Sequence, residues 1–253
     1  MNETVISIKD VSVRFGDLIA LDEVSMDVAT GSTLGIIGPN GAGKTTLFHA
    51  LSGDLSGRTG TVSILGQPLK RSAVSRVAKL GLGKLFQDVR VFPNLTVREN
   101  LQVAVHTDRQ RAWHSAWRCW NGYAGLPEQR DRVAAVLDRI ELADQAESLA
   151  GSLSFGNQKT LALGRLMVGN FSILLLDEPM AGLSPRRAQL MGALIEELVH
   201  QRGTTVLLIE HNMQHVRRLC RETLVLNQGK VVRQGATDDV LGDPEVREIC
   251  LGL

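Results

Sequence analysis

The chain has 253 residues, 43% of them apolar and 22% charged, with a formal net charge of +1. That length can bury roughly three quarters of the unfolded chain's surface, which suits one large domain or two intimate ones. The near-zero charge argues against a nucleic-acid protein working through a broad basic face.

The three cysteines, Cys119, Cys220 and Cys250, form no CxxC pair. They read as thiols of a reducing compartment, not as a zinc site or a disulfide frame. The opening MNETVISIKD lacks the basic and apolar regions of a signal peptide. Apolar runs such as 173–176 are too short to cross a bilayer. The expectation is a soluble, cytoplasmic chain that reaches a membrane only through a partner.

In chain order, residues 4–15 and 24–28 alternate or carry β-branched side chains and predict strands of a small antiparallel sheet. TLGIIG at 33–38 predicts a short buried strand, and TTLFHALSG from 45 the helix after it. Between them GPNGAGKTT matches G-x-x-x-x-G-K-[ST] through Gly38, Gly43, Lys44 and Thr45. In such a loop the glycines let the backbone turn its N–H groups inward around phosphate oxygens. The candidate cradle is therefore Gly38, Pro39, Asn40, Gly41, Ala42, Gly43, Lys44, Thr45 and Thr46. Lys44 supplies a point charge to the β- and γ-phosphates, and the Thr45 hydroxyl can ligate Mg²⁺. The alternative is a plain glycine-rich turn; a strand before it and a helix after it favour nucleotide binding.

Residues 61–66 predict a strand with a glycine stop. Thr96 and Glu99 form a capping box at the head of a helix over 96–105. Helical spacing follows at 128–141 and 157–168. SILLLD (172–177) and TTVLLIE (204–210) predict strands buried on both faces, joined by a helix at 186–201. Residues 224–235 predict a hairpin, and DPEVREICLGL a short closing helix. The expected fold is α/β: a P-loop core with a mixed, largely parallel sheet, an N-terminal antiparallel β subdomain and a helical subdomain inserted at about 96–168.

SILLLDEP ends a buried strand on Asp177 and Glu178. Asp177 is placed to hold Mg²⁺ and Glu178 to polarise a water that attacks the γ-phosphate. Alternatively, both acids cap the turn at Pro179; the P-loop in the same chain favours the chemistry. Trp113, Trp117 and Trp120 fall on one helical face, with Arg109, Arg111 and Arg118 nearby. That face is either a core stripe of the helical subdomain or a docking surface for a membrane partner or lipid headgroups.

GPNGAGKTT, FQ at 86–87, LSFGNQ at 153–158, ILLLDEP at 173–179, AGLSP at 181–185 and IEH at 209–211 occur in that order. Together they resemble the motif series of ATP-binding-cassette ATPases, and the resemblance implies one such domain over 4–252. It implies that Phe15, before Gly16, stacks on adenine, the alternative being a strand core residue. It implies that Gln87 touches Mg²⁺ or its water and relays motion to a membrane subunit, and that His211 contacts the γ-phosphate. The implied catalytic set is Glu178, His211, Lys44 and Gln87; the implied metal set is Thr45, Gln87 and Asp177. ATP and Mg²⁺ are the implied cofactors.

In this family, signatures such as LSFGNQ close over a second subunit's nucleotide. Two cassettes pack head to tail, and Ser154, Phe155, Gly156 and Asn157 seal the ATP held on the partner's P-loop. A helix start attracts anions on its own account, and Ser154 as an ordinary N-cap is compatible with that role. Gly182, Leu183 and Ser184 occupy the loop that crosses to the partner. Phe155 and Asn157 depart from the commonest signature, LSGGQ, and Ser184 stands where aspartate is common.

GLGKLFQDVRVFPNLTVRENL, SFGNQ, EPMAGLSP, IEHNM and DPEVREICLG resemble cassettes that energise uptake of branched-chain amino acids, whose close relatives handle urea and short amides. Lys84 replaces an arginine common in that branch. The ending also resembles lipopolysaccharide-export cassettes, where the segment at 210–211 usually reads DH rather than EH. Soluble cassettes that act on nucleic acid usually carry a coiled-coil insertion or a second cassette, and this chain has neither. The implied partners are a second ATPase subunit, identical or related, transmembrane permease subunits and, indirectly, an extracytoplasmic substrate-binding protein; no nucleic acid. The implied location is the cytoplasmic face of the inner membrane, as a peripheral protein.

Overall fold

Alternating apolar residues make the first strand, β1 (Thr4–Phe15), which buries Ile6, Ile8, Val11 and Val13. The computed structural model describes residues 3–55, 57–69, 74–105 and 127–251. The tryptophan face expected at Trp113, Trp117 and Trp120, with Arg109, Arg111 and Arg118, lies outside those residues. The chain divides into two compact units. One comprises Met1–Lys84, Ser172–Glu178 and Ile195–Leu253, and the other Leu85–Phe171 and Pro179–Leu194.

In the first unit β1 pairs antiparallel with β2 (Leu18–Ala29). The second strand starts earlier than its expected 24–28. Four register shifts break the simple alternation along this pair, so period-2 reading lost the segment before Val24. β4 (Thr61–Ile64) and β5 (Gln67–Pro68) complete a four-stranded sheet ordered β2-β1-β4-β5.

The second sheet contains β3 (Thr33–Ile37), β6 (Leu82–Leu85), β7 (Ile173–Asp177), β8 (Thr205–Ile209), β9 (Glu222–Asn227) and β10 (Lys230–Ala236). Its six strands run in the order β10-β9-β3-β8-β7-β6. Every residue of β3, β7 and β8 is buried, as expected of strands without a solvent face. β3 pairs parallel with both β8 and β9, and β7 parallel with β8. β9 and β10 form the expected hairpin. Its turn, Gln228–Gly229, has both residues left-handed, with φ of 47° and 78°, the geometry that matches strand twist. The sheet is therefore mixed and largely parallel.

The helices of this unit are α1 (Lys44–Leu51), α2 (Val74–Lys79), α7 (Met213–Leu219), α8 (Thr237–Gly242) and α9 (Pro244–Leu251). Phe48 of α1 is fully buried in a core that includes Ile6, Ile36, Ile173, Leu207 and Leu224. Removing such a side chain from water stabilises the fold by about 1.5–3 kcal/mol. Cys220 packs against Gly35, where an added Cβ would lie 3.0 Å from its Sγ. Burial, and secondarily the charge of Glu210, pushes the Cys220 thiol up to about 12 from 9.0. The unfolded chain loses this proton above pH 9 while the folded chain keeps it to about pH 12. Stability therefore falls as pH rises through that window, by up to about 4 kcal/mol. Urea titrations across pH 9–12 should show a flatter decline for Cys220→Ala than for the parent protein.

The second unit holds α3 (Val97–Val105), α4 (Pro127–Arg139) and α5 (Phe155–Gly169), and α6 (Pro185–Arg202) begins in it. The capping box forms as read. Thr96 N–H donates to Glu99 Oε2 at 2.7 Å, and Glu99 N–H donates to Thr96 Oγ1 at 3.1 Å. Asn100, fully buried, accepts from Phe92 N–H at 2.9 Å and donates to the Phe92 and Thr96 carbonyls. It pins the preceding loop to α3.

Candidate functional site

The candidate phosphate loop leaves β3 at Ile37 and enters α1 at Lys44. Two of its glycines are compelled by sterics. Gly38 has φ 144° and Gly43 has φ 104°; an added Cβ would strike the Leu226 carbonyl oxygen at the first and the Ala20 carbonyl oxygen at the second. Asn40 and Gly41 are exposed, Pro39 is half-buried and Ala42 is buried. Lys44 is only 7% exposed, and its Nζ donates to the carbonyls of Gly38 at 2.7 Å and Pro39 at 2.9 Å. Burial lowers its pKa, while Glu178, Cys250 and Asp177 oppose that shift. Thr45 presents its side chain to solvent and Thr46 is half-buried.

Asp177 is the last residue of β7 and is 4% exposed. Burial, then the charge of Glu178, pushes its carboxyl up; Lys84, Lys44 and His211 pull it down. Glu178 adopts φ 46°, a left-handed conformation unusual for a residue with a side chain. Its N–H donates to the Ile209 carbonyl at 3.0 Å, which fixes the turn against β8. The bend delivers Glu178 Oε1 to 2.9 Å from His211 Nε2. His211 follows β8, and the next residue, Asn212, caps α7 by accepting from Gln214 N–H at 2.9 Å. The first unit thus gathers Lys44, Asp177, Glu178 and His211 at the carboxyl ends of parallel strands. The Thr45 hydroxyl and Asp177 carboxylate are oxygen donors of the kind that suit a hard divalent cation.

Phe15 is 53% exposed at the end of β1, opposite Leu18 at 66%, so it is not a core residue. Lys84 lies with its Nζ 3.7 Å from Asp54 Oδ2, an oxygen that also accepts from Ser52 Oγ at 2.7 Å. Sequence reading had no account of Lys84 and did not single out Asp54. Their pairing joins β6 to the segment after α1, and no spacing rule announces it.

In the second unit Ser154 is the N-cap of α5, accepting from Asn157 N–H at 3.3 Å. Phe155 is 51% exposed, and Gly156 and Asn157 are half-buried. The Asn157 amide reaches Gln145 Oε1 at 3.5 Å. Gln158 donates to the carbonyls of Ala150 at 3.1 Å and Leu153 at 3.2 Å, bracing the loop before the helix. Gln87 is exposed just beyond β6. In the crossing loop Gly182 has φ 73°. Ser184 Oγ accepts from Arg187 N–H at 3.4 Å, with Pro185 at the first position of α6. Serine and aspartate are comparable N-caps, so the helix start is kept despite the departure at Ser184.

A strand–loop–helix phosphate cradle with an acid pair at the end of a parallel strand of the same sheet, one strand removed, defines a P-loop nucleoside triphosphatase. Comparison with known proteins narrows the class. The family described as "ABC transporter" matches residues 21–181. The chain is 35% identical to the high-affinity branched-chain amino acid transport ATP-binding protein LivG of Salmonella typhimurium over 253 residues, covering 100% of this chain and 99% of that one. It is 33% identical to the corresponding protein BraF of Pseudomonas aeruginosa, again covering 100% of this chain and 99% of the relative. The ADP conformation of MJ1267, an ATP-binding cassette of an ABC transporter, superimposes with a TM-score of 0.82 at 28% identity, with 100% of both chains covered. The chain belongs to the ABC transporter family and is an ATP-binding, ATP-hydrolysing cassette of it. Among the described residues no helix is long and apolar enough to cross a membrane.

Proposed function

We propose that this cassette powers uptake of amino acids of the branched-chain type, through permease subunits at the cytoplasmic face of the inner membrane. The observation that carries the chemistry is the Glu178–His211 pair, 2.9 Å apart, beside the buried Asp177 and Lys44. Glu178 accepts a proton from the attacking water as its oxygen bonds to the γ-phosphorus and the bond to ADP breaks. His211 orients that carboxylate. Lys44 exchanges its loop carbonyl partners for β- and γ-phosphate oxygens. Mg²⁺ would be held by Thr45 and Asp177 and would supply charge neutralisation on those oxygens; the assignment of Gln87 to the same ion rests on the motif series. Phe15, exposed, supplies an aromatic face for adenine.

The signature residues Ser154–Asn157 offer amides and a helix start to a second cassette's ATP. ATP then joins two cassettes head to tail and hydrolysis releases them, a two-state element biased by a ligand. The relatives reported above are ATP-binding proteins of branched-chain amino acid transport, which supports that cargo class. An export cassette is the second reading. The Nod factor export ATP-binding protein I of Burkholderia orbicola is 34% identical over 238 residues, covering 93% of this chain and 72% of that one. The full-length match to the branched-chain amino acid transport proteins, against 72% coverage of the export protein, favours the first reading.

The pairing of Asn40→Cys with Gly156→Cys tests the head-to-tail arrangement. Asn40 is exposed, and a Cβ at Gly156 would meet nothing nearer than Leu183 Cδ2 at 3.6 Å. In a background lacking the native cysteines, oxidation should give a disulfide-linked dimer that depends on ATP. A folded, ATP-binding protein that never crosslinks contradicts the arrangement.

A further inference from the structure

The signature helix carries a buried cation that none of the roles above uses. Lys159, in the second turn of α5, is 2% exposed. An ammonium withdrawn from water is costly unless it gains polar partners. Lys159 Nζ donates to the carbonyl oxygen of Ala181, the first residue of the crossing loop, at 2.8 Å. The same ammonium lies 5.6 Å from the centroid of the Phe155 ring, within range of a cation–π attraction.

Two further contacts join the same loops. Phe155 Cε1 would stand 3.2 Å from a Cβ at Gly182, and Leu183 Cδ2 would stand 3.6 Å from one at Gly156. The bare Cα of Gly182 thus lets the Phe155 ring close on the crossing loop, and Leu183 lies within ordinary packing distance of the signature backbone at Gly156. Thr160 Oγ1, next along the helix, donates to the Gly156 carbonyl at 2.8 Å and stiffens the first turn. Residues 153–160 and 181–184 are therefore tied at three places within one unit: a partly buried charge-assisted hydrogen bond, an aromatic ring on Gly182, and Leu183 on Gly156. The crossing loop begins three residues after Glu178 in the chain.

We propose that Lys159 is a positioning residue that locks the crossing loop to the signature loop, so that closure of the signature over a partner's ATP is carried to the backbone that follows Glu178. The inference rests on the head-to-tail reading. It assigns Lys159 no contact with nucleotide. The lysine stem reaches from the helix to the loop, and its terminal donor holds a carbonyl that methionine, of similar length, would leave unpaired.

The test uses the full chain with Lys159→Met and Lys159→Arg, each also combined with Glu178→Gln. A fluorescent ATP analogue without Mg²⁺ reads the P-loop. Lys159→Met should bind it with parental affinity, lose turnover on the order of tenfold in kcat with little change in KM, and regain most of it as Lys159→Arg. In the ATP-bound Glu178→Gln background, hydrogen exchange should show residues 153–160 and 181–184 protected together. Adding Lys159→Met should release 181–184 alone. Parental kcat in Lys159→Met, or continued protection of 181–184, overturns the proposal. If Lys159→Met does not fold, exchange in Glu178→Gln alone decides: protection of 153–160 without 181–184 overturns it. If ATP produces no dimer in Glu178→Gln, the head-to-tail reading fails, and this inference with it. A dimer with uncoupled loops sinks this inference alone.

Discussion

Glu178→Gln should lower ATP turnover by a factor on the order of 10²–10⁴ while ATP binding persists. Glutamine keeps the shape and still offers an oxygen to His211, now 2.9 Å from Glu178 Oε1, so the site should hold its geometry. What it loses is a group basic enough to take a proton from water. Binding and chemistry then separate, because the phosphate cradle of Gly38–Thr45 is untouched. ATP should accumulate on the protein and hold it as a dimer. Phosphate release measured alongside size-exclusion chromatography in Mg²⁺ and ATP reads both effects. Parental turnover in the variant would remove Glu178 from the role of base, and a monomer at saturating ATP would count against ligand-driven closure.

Lys44→Ala acts one step earlier and should weaken ATP binding itself. Two hydrogen bonds from a charged donor to phosphate oxygens contribute about 3–6 kcal/mol together, a factor on the order of 10²–10⁴ in Kd. The loop should survive the change. Its shape is set by Gly38 at φ 144° and Gly43 at φ 104° and by Gly229 N–H donating to the Ala42 carbonyl at 3.0 Å, none of which involves the lysine side chain. The Gly38 and Pro39 carbonyls that Lys44 now serves can turn to water. Calorimetric titration with ATP, with circular dichroism as the check on folding, measures the loss. A folded variant with parental affinity would mean that the backbone amides alone carry the phosphates.

The residues proposed for this chemistry could be picked out because each belongs to a short contiguous pattern. Gly38–Thr45, Asp177–Glu178 and Glu210–His211 sit directly beside strands that their neighbours announce by continuous apolar runs. The hairpin and the capping box were equally local. What was not legible depended on distance in the chain. β6 reads LGKL, too short for a period to emerge, and its position became visible only beside β7. The strand β5 (Gln67–Pro68) and the short helices α2, α7 and α8 carry too few residues for helical or strand spacing to register. Asp54 and Lys84 are thirty residues apart, and Lys159 and Ala181 are joined only by folding. A lysine in an amphipathic helix is ordinarily read as its solvated side; here it points inward because a loop carbonyl waits there.

The left-handed backbone at Glu178 has one more consequence. Holding a side-chain-bearing residue there costs on the order of 1–3 kcal/mol, and glycine alone adopts such angles freely. Directed evolution for heat tolerance, run without a requirement for growth on the transported nutrient, would accordingly be drawn toward Glu178→Gly. Its winners would melt later and lose most of their ATP turnover. Thermal robustness and catalytic competence compete at this one codon, and only selection on the second keeps the acid in place.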